Sequence, residues 1–372
     1  MPVLCTNSSF LGIAPMYGVS DFPTRIWIFL CSNSFHMTTP FLRLTETFPD
    51  QIPKEWAPEI FISEVKEALG FKTVPQLMTN SSELFIKNAE KILPFCKQIE
   101  INCGCPSPKV IGKGAGSGLL VKPESFGRLL DKITTQIGPN ILSVKMRTGF
   151  DNDNHYSHLI SILGEVALNR IVIHGRTRAQ KYTGEACWEK INFASQQTSH
   201  NIIGSGDIDS FSSYVKKTQQ VERLYGVIIG RGILKNPWLL HEIRQKKQAP
   251  LNRKLITHSL YVYCLLVELY SRSWSNFIDL ICLGGFKKSL DLNTEEWLFF
   301  SERVEEFIMN RLQVKIDDEF FSRLTLGKLK MIWTYFHPKK TDEIFAKKML
   351  RSKTVNEFFL ALEKCPFIHR DV

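Results

Sequence analysis

Short apolar runs rich in Val and Ile recur along the first two-thirds of the chain, each separated from the next by room for one helix. This rhythm is typical of repeated βα units. The predicted strands are residues 11–16, 74–78, 99–103, 141–147, 170–174, 201–204 and 226–230. An eighth strand is expected between Phe35 and Glu46. Eight parallel strands over this length predict an α/β fold of the (β/α)8 TIM-barrel type.

Helical patterns fill several gaps between these runs, at 81–95, 124–137 and 209–218. Beyond about Arg244 glycine and short apolar runs become rare, and longer amphipathic patterns take over. These patterns span residues 253–272, 293–313, 321–336 and 354–364, the last opening with the capping-box spacing Thr354-x-x-Glu357. We therefore predict a barrel domain at 1–245, a linker at 246–254 and a smaller all-helical domain at 255–372.

Polar residues and glycines cluster where the predicted strands end. They are Pro15-Met16, Gln76, Asn102 to Cys105, Lys145 with Arg147, His174 to Arg176, Gly204 to Asp207, and Gly230 to Gly232. In a parallel barrel the loops that follow the strands form one mouth, where functional residues gather. The sequence therefore predicts a functional site at this end of the barrel.

Glycine-rich turns follow the last two predicted strands. Glycine lets backbone N–H groups approach an anion, and the loops after strands 7 and 8 are the usual phosphate site of this fold. A single turn of this kind is best explained as purely structural. Two of them together, with Arg231 as an added cation, favour phosphate binding. The glycine run at 112–118 lacks both G-x-G-x-x-G and the P-loop spacing, so it is read as a loop near the mouth.

Three strand-end side chains carry candidate chemistry. Lys145 and Arg147 lie two residues apart and so share one side of their strand. Buried in a barrel, Lys145 needs an anion, either Glu100 or Glu46 in a structural ion pair or a ligand that gains negative charge. His174 is either a packed histidine or a ligand contact. Cys105, beyond Gly104 and before a proline, is expected to face the mouth, and a thiol there acts as nucleophile, acid or small apolar group.

Composition narrows the class of partner. The chain carries a net charge of +10, and its pI of about 9.1 favours an anionic partner. Nine scattered cysteines indicate reduced thiols, and two neighbouring ones do not complete a tetrahedral metal site. Neither a signal peptide nor a clean apolar span is apparent. We expect a cytoplasmic monomer without metal or membrane contact.

In combination these motifs resemble the tRNA-dihydrouridine synthases of bacterial type, flavoenzymes that reduce uridine in tRNA. The resemblance runs from Ala14-Pro15-Met16 to the NPW at 236–238. Its most specific parts are INCGCPSPKV followed by KGAGSGLL, KMR at 145–147, HGRT at 174–177 and IIGRGILKNPW at 228–238. The segment GKLKMIWTYF at 327–336 is similar to the family's C-terminal RNA-binding domain.

The resemblance implies FMN at the mouth, NADPH as reductant, tRNA as substrate and Cys105 as the proton donor. The residues that it implies for the cofactor are Pro15, Met16, Tyr17, Gln76, Lys145, His174, Ser205, Gly206, Asp207, Gly230 and Arg231. Those expected to contact tRNA are Asn102, Arg147 and Arg176 at the mouth, with Lys328 and Lys330 in the basic segment 323–353. The uracil lies within folded tRNA, so it has to be extruded to reach the site.

Three sites depart from the family pattern: Ser205 replaces the usual Asn, Tyr17 stands where a smaller or different residue is common, and Ala167-Leu168-Asn169 replaces a glycine-containing turn. Two other classes of protein stay open. One is an FMN-dependent barrel oxidoreductase of a small metabolite, which would not need the basic helical tail. The other is a non-catalytic RNA-binding barrel, which would not need Cys105.

Overall fold

A computed structural model describes residues 10–33, 36–108, 112–249, 251–283, 286, 293–336 and 343–365. The chain forms two compact units, each described separately. The barrel unit comprises Met1–Ser20, Phe35–Phe61 and Phe71–Gly230. The helical unit comprises Asp21–Ser34, Ile62–Gly70 and Arg231–Val372.

The barrel unit contains one parallel sheet. Its strands are β1 (Phe10–Ile13), β2 (His36–Thr38), β3 (Leu42–Arg43), β4 (Lys72–Val74), β5 (Gln76–Met78), β6 (Ile99–Cys103), β7 (Leu142–Arg147), β8 (Arg170–His174), β9 (Asn201–Ser205) and β10 (Leu224–Ile229). Their spatial order is β3-β5-β6-β7-β8-β9-β10-β1-β2-β4. Every pairing that joins them is parallel.

These ten strands make an eight-stranded barrel, because two of the barrel strands are each broken in two. The β2 and β3 segments flank Pro40, and β4 and β5 flank Pro75, which has no N–H to donate to a ladder. Since β2 pairs with β4 and β3 pairs with β5, the two broken strands lie side by side and close the ring. The predicted (β/α)8 barrel is therefore confirmed.

Helices lie between successive strands along the chain, and two of them belong to the helical unit. In chain order they are α1 (Phe22–Ser32), α2 (Pro58–Phe61), α3 (Ser63–Leu69), α4 (Ser82–Ile92), α5 (Pro123–Ile137), α6 (Tyr156–Glu165), α7 (Trp188–Gln197) and α8 (Phe211–Thr218), with 3-10 turns at Lys54–Trp56 and Gly116–Val121. Of these, α1 and α3 belong to the helical unit.

The rest of the helical unit follows β10. Its helices are α9 (Arg231–Lys235), α10 (Leu239–Gln245), α11 (Arg253–Arg272), α12 (Trp274–Leu283), α13 (Thr294–Leu312), α14 (Arg323–Phe336), α15 (Glu343–Leu350) and α16 (Val355–Glu363). The long α11 packs against α13 and α14, and its middle is buried on all sides. The predicted helical region after the barrel is confirmed.

The capping signals explain several helix starts. Thr354 caps α16 by accepting a hydrogen bond from the N–H of Glu357, whose carboxylate accepts one from the N–H of Lys353. Ser210 and Ser213 form a capping box at α8. In the predicted linker at 246–254, residues 246–249 and 251–252 carry no helix or strand, whereas Arg253 and Lys254 already belong to α11. Within the described ranges, no helix combines the length and apolar character needed to cross a bilayer.

Candidate active site

Alternation along the parallel strands places one set of polar side chains inside the barrel. Glu100 is fully buried and lies opposite Gln76 on one neighbouring strand and Ser143 on the other. One layer nearer the mouth, Asn102 lies opposite Lys145. Because strand side chains alternate between faces, these residues share one face. The apolar alternates Ile99, Ile101 and Cys103 point the other way and are fully buried.

A chain of amide hydrogen bonds links this interior to the loop after β6. Gln76 donates through Nε2 to Glu100 Oε1 at 2.6 Å. Asn102 donates through Nδ2 to Gln76 Oε1 at 2.7 Å. The other amide atom of Asn102, Oδ1, accepts from the N–H of Cys105 at 2.9 Å and from that of Gly104 at 3.1 Å. The backbone that carries Cys105 is thus fixed from inside the barrel.

Cys105 is partly buried at the mouth. Its carbonyl oxygen accepts a hydrogen bond from Ser117 Oγ at 2.8 Å, so the glycine-rich segment is tied to the Cys105 loop. The side chain packs with Phe41 against Met78 and Ala115. Burial raises the pKa of the thiol, and the opposing effects of the Ser107 backbone and of the cations Arg147, Lys145 and Arg43 do not cancel it. The thiol therefore keeps its proton at neutral pH, as an acid requires.

Lys145 provides a mostly buried cation beside that loop. Burial lowers its pKa to about 8, with Glu100 opposing the shift and Arg147 adding to it. Among the described residues no hydrogen bond or ion pair to its ammonium group is found. A buried ammonium group costs free energy unless an anion or acceptor meets it. Lys145 is therefore suited to a ligand with an electron-rich edge.

Arg147, predicted as a substrate contact, is 4% exposed and holds three loop carbonyl groups. Its Nε donates to Gly104 O at 3.0 Å, and its Nη1 donates to Thr177 O and to Lys181 O, both at 2.9 Å. The guanidinium also lies 5.6 Å from the ring centre of the exposed Tyr182. Arg147 thus joins the Cys105 loop to the loop after β8.

Arg176 and Asp207, predicted to contact tRNA and phosphate respectively, bind each other. Arg176 Nη2 lies 2.7 Å from both carboxylate oxygens of Asp207, and it also donates to Gly184 O at 2.6 Å. The carboxylate accepts the N–H of Ala186 at 2.7 Å. Burial would raise the pKa of Asp207, but these hydrogen bonds and the guanidinium outweigh burial and lower it. The pair ties the loop after β8 to the loop after β9.

The turn after β9 is tightly packed around a glycine in an unusual backbone conformation. Gly206 has φ of +125°, and a Cβ there would lie 2.6 Å from the Cβ of Ala186 and 3.1 Å from the His174 ring. Only glycine fits such a conformation without strain. Ser205 is buried beside it and His174 is partly buried, with its Nε2 at 3.5 Å from Arg176 Nη1. The predicted residues Ser205, Gly206 and His174 therefore lie together.

The turn after β1 reaches the same mouth. Pro15 and Met16 are partly buried, and Met16 accepts and donates backbone hydrogen bonds that close the turn at Ser20. A Cβ on Gly230 would meet Met16 Sδ at 3.8 Å, so the ends of β1 and β10 adjoin. Tyr17 is 72% exposed and stacks on Phe41, with ring centres 4.7 Å apart.

The remaining predicted residues belong to the helical unit. Arg231 begins α9 and is partly buried. Lys328 Nζ lies 2.8 Å from Asp21 Oδ2, and Lys330 Nζ donates to Ser352 O at 2.5 Å. Residues 337–342 of the basic segment lie outside the described residues. In the rest of that segment Lys348, Arg351 and Lys353 are exposed.

Sequence reasoning missed two contributors to the mouth, Ser117 and Phe41. Ser117 lies in the glycine run that the sequence predicted to be a loop near the mouth. Its hydrogen bond to Cys105 could not be predicted from the sequence. Phe41 lies between the halves of a broken strand, where the alternating pattern is poor. Both pack or bond against the residues that carry Cys105.

The fold and site define a parallel (β/α)8 barrel whose mouth holds a protonated thiol, a cation without a bonding partner among the described residues, and a tightly packed glycine turn. Residues 12–272 match the family model described as dihydrouridine synthase. This match covers well over half of the chain. The protein belongs to the dihydrouridine synthase family.

Individual relatives agree with this assignment. The chain is 31% identical over 243 residues to a probable tRNA-dihydrouridine synthase of Helicobacter pylori, covering 60% of this chain and 72% of the relative. It is also 31% identical over 234 residues to tRNA-dihydrouridine synthase B of Pasteurella multocida, covering 61% and 66%. The structure of the old yellow enzyme from Trypanosoma cruzi matches with a TM-score of 0.46 at 10% identity, covering 65% of this chain and 89% of that one. The fold assignment rests on the strand pairing alone.

Proposed function

We propose that this chain is a flavin-dependent tRNA-dihydrouridine synthase that uses FMN and takes its electrons from NADPH. The observation that carries the proposal is Cys105, a partly buried thiol that keeps its proton beside a buried cation, in a chain of the dihydrouridine synthase family. The similarity to tRNA-dihydrouridine synthases of two bacteria supports tRNA as the substrate. We place its activity in the cytoplasm, where tRNA is found.

The residues at the mouth fit a flavin phosphate and ring. Gly206 sits in a turn so tightly packed against Ala186 and His174 that only glycine fits, and its backbone lies beside Ser205 in the loop where this fold usually binds phosphate. Lys145 supplies a cation that meets no hydrogen-bonding partner among the described residues, and Gln76 presents a fixed amide. We propose that Ser205, Gly206 and Gly230 hold the phosphate, and that Pro15, Met16, Tyr17 and His174 border the ring.

When bound, reduced FMN supplies the hydride that adds to C6 of the uracil ring. Cys105 donates its proton to C5, so that two hydrogens enter and the thiol is left as a thiolate that must regain a proton. Lys145 stabilises negative charge next to the ring, because an ammonium group in a site of low polarity acts strongly on charge that develops nearby. Asn102 holds the Cys105 backbone, so the thiol meets the substrate in a fixed position.

The arginines and Asp207 have a positioning role in this proposal. Arg147 and the Arg176–Asp207 pair together hold the loops after β6, β8 and β9. Their groups are occupied within the chain, so we assign tRNA contact at the mouth to the surface that these loops present. For the helical unit we propose contact through the exposed cations Lys348, Arg351 and Lys353, because Lys328 and Lys330, the pair predicted from the sequence, are bonded within the chain.

The test is a reconstitution. Purified protein should be yellow or become so with FMN, and should convert uridine to dihydrouridine in unmodified tRNA when NADPH is added, as detected by mass spectrometry of nucleosides. A small-metabolite oxidoreductase would oxidise NADPH yet leave tRNA unchanged. A non-catalytic RNA-binding barrel would bind tRNA and remain colourless with FMN. Either result would overturn the proposal.

A further inference from the structure

We propose that Glu100 is a positioning residue which, through two amide side chains, sets the polarity of the hydrogen bonds that hold the Cys105 backbone. The expected effect of Glu100 on catalysis rests on the proposed function. Its expected effect on the Cys105 backbone does not. The residues that carry it form one uninterrupted series from the barrel interior to the mouth, in the order Glu100, Gln76, Asn102 and the backbone of Cys105.

The donors and acceptors at the two ends of this series leave only one arrangement of its amides. A carboxylate only accepts, so Gln76 must turn Nε2 towards Glu100 and Oε1 towards Asn102. Asn102 must then donate through Nδ2 to Gln76 and present Oδ1 on its other side. The backbone N–H groups of Gly104 and Cys105 only donate, and they require that same Oδ1. Both ends therefore demand the same orientation.

Glu100 Oε1 accepts the Gln76 hydrogen bond at the inner end of this series. Burial raises the pKa of its carboxyl group, and Arg170, Lys145 and the Gln76 hydrogen bond oppose that rise. The second oxygen, Oε2, is buried and has no hydrogen-bond partner among the described residues. Burying an incompletely bonded carboxylate costs free energy, so its presence next to Gln76 calls for a compensating role. Fixing the amides next to a reactive loop is such a role.

Gln at position 100 has nearly the same shape as Glu but is not restricted to accepting hydrogen bonds. In Glu100→Gln the new amide can donate as well as accept, so only the loop N–H groups still favour the original orientation of Gln76 and Asn102. In the reversed orientation Asn102 would turn an NH2 group towards two N–H groups and release the loop. We therefore expect the amide hydrogens of Gly104 and Cys105 to exchange with solvent about tenfold faster, the factor that corresponds to about 1.4 kcal/mol.

The decisive variant moves the carboxylate instead of removing it. In Glu100→Gln combined with Gln76→Glu, the carboxylate at 76 accepts from the amide at 100 and from Asn102 Nδ2, so Asn102 Oδ1 again faces the loop. Exchange protection of Gly104 and Cys105 should return to within about threefold of the parent protein. If the double variant exchanges as fast as Glu100→Gln, polarity is not the cause and the proposal fails.

Ser143→Ala is the matched control. Ser143 lies opposite Glu100 on β7, and its buried Oγ also has no partner among the described residues. Its removal should leave exchange at the Cys105 loop unchanged. Equal acceleration in this control and in Glu100→Gln would assign the effect to general loosening of the barrel and overturn the inference.

Hydrogen exchange needs neither tRNA nor turnover, so it separates this inference from the proposed function. If the parent protein forms dihydrouridine, Glu100→Gln should lower kcat by about tenfold while KM for tRNA changes by less than about threefold, because orientation of the thiol is lost and binding surface is not. Parent protein without activity but with the predicted exchange pattern would sink the proposed function alone. An unchanged exchange pattern in Glu100→Gln would sink this inference alone.

Discussion

The barrel mouth and the helical unit both contain cations that sequence reasoning marked as functional, but the two regions use them differently. At the mouth Arg147 and Arg176 bind loop carbonyl groups and Asp207, while Lys145 keeps an ammonium group without a bonding partner among the described residues. In the helical unit Lys328 and Lys330 are held by Asp21 and Ser352. A cation's position in the sequence thus predicts which region of the fold it occupies. Whether it is available to a ligand depends on the partners that it binds there.

The largest effect is expected from removing the thiol of Cys105. Cys105→Ala should lower dihydrouridine formation by about 10²–10⁴-fold, the usual contribution of a positioned acid, while flavin binding is retained. The measurement is dihydrouridine per tRNA against time, with FMN content determined in parallel.

Cys96→Ala is the control for that variant. Cys96 precedes β6, at the end of the strand away from the mouth, and its thiol donates to the carbonyl group of Gln98. This variant should keep full activity. Undiminished activity of Cys105→Ala would show that another group donates the proton.

Removing the cation of Lys145 should have the next largest effect. Lys145→Met should slow hydride transfer by about 10²–10³-fold, because the charge acts on the transition state from inside a low-polarity site. Its pKa of about 8 means that the ammonium form dominates below that pH and is lost above it. Activity of the parent protein should therefore fall as pH rises through about 8, in single-turnover flavin oxidation. A profile that rises through this range would contradict the role of the cation.

In the helical unit the strongest expected effect concerns stability. Glu268 is 1% exposed and accepts hydrogen bonds from Arg272 Nε, from the Ser322 N–H and Oγ, and from Thr325 Oγ1. Burial would raise its pKa, but these bonds outweigh burial and lower it. The carboxylate thus adds stability above its unfolded pKa, and that stability is lost as pH falls.

Glu268→Gln should accordingly lower the free energy of unfolding by about 2–4 kcal/mol at neutral pH, measured by urea denaturation. The difference from the parent protein should shrink in acid. Glu306→Gln, at an exposed position of α13, is the control and should change stability by less than about 0.5 kcal/mol. Equal costs in the two variants would rule out the hydrogen-bond account.

The smallest effect is expected for tRNA affinity, and it compares two sets of cations. Each cation that contacts a phosphate contributes roughly 0.7–0.9 to the slope of log affinity against log salt. Lys348→Ala with Arg351→Ala should reduce that slope, whereas Lys328→Ala with Lys330→Ala should leave it nearly unchanged because those lysines are held within the chain. The opposite result would show that Lys328 and Lys330 contact tRNA, as the sequence predicted.

Much of the barrel was predictable because its strands are buried on both faces and read as continuous Val and Ile runs. Helix α1 escaped prediction for a related reason: all eleven of its residues are buried, so it has no polar stripe to reveal a helical period. The predicted strand at 74–78 proved to span the break at Pro75 in a longer strand, which begins at Lys72.

At the site, topology placed the strand-end residues correctly at the mouth, but their partners were not predictable. Arg176 and Asp207 lie 31 residues apart, and nothing in the spacing announces that they bind each other. Asp21 and Lys328 belong to distant parts of the chain that meet only in the fold. The motifs therefore predict which residues lie at the mouth. The partners of long side chains depend on three-dimensional packing, which the motifs do not predict.

The central claim is that this chain reduces uridine in tRNA, and the most direct test is to map dihydrouridine in tRNA from cells with and without its gene. We predict that one or more uridines lose the modification when the gene is deleted and regain it with the parent gene but not with Cys105→Ala. Identical dihydrouridine maps in the two kinds of cell, with no other enzyme modifying the same positions, would contradict the account.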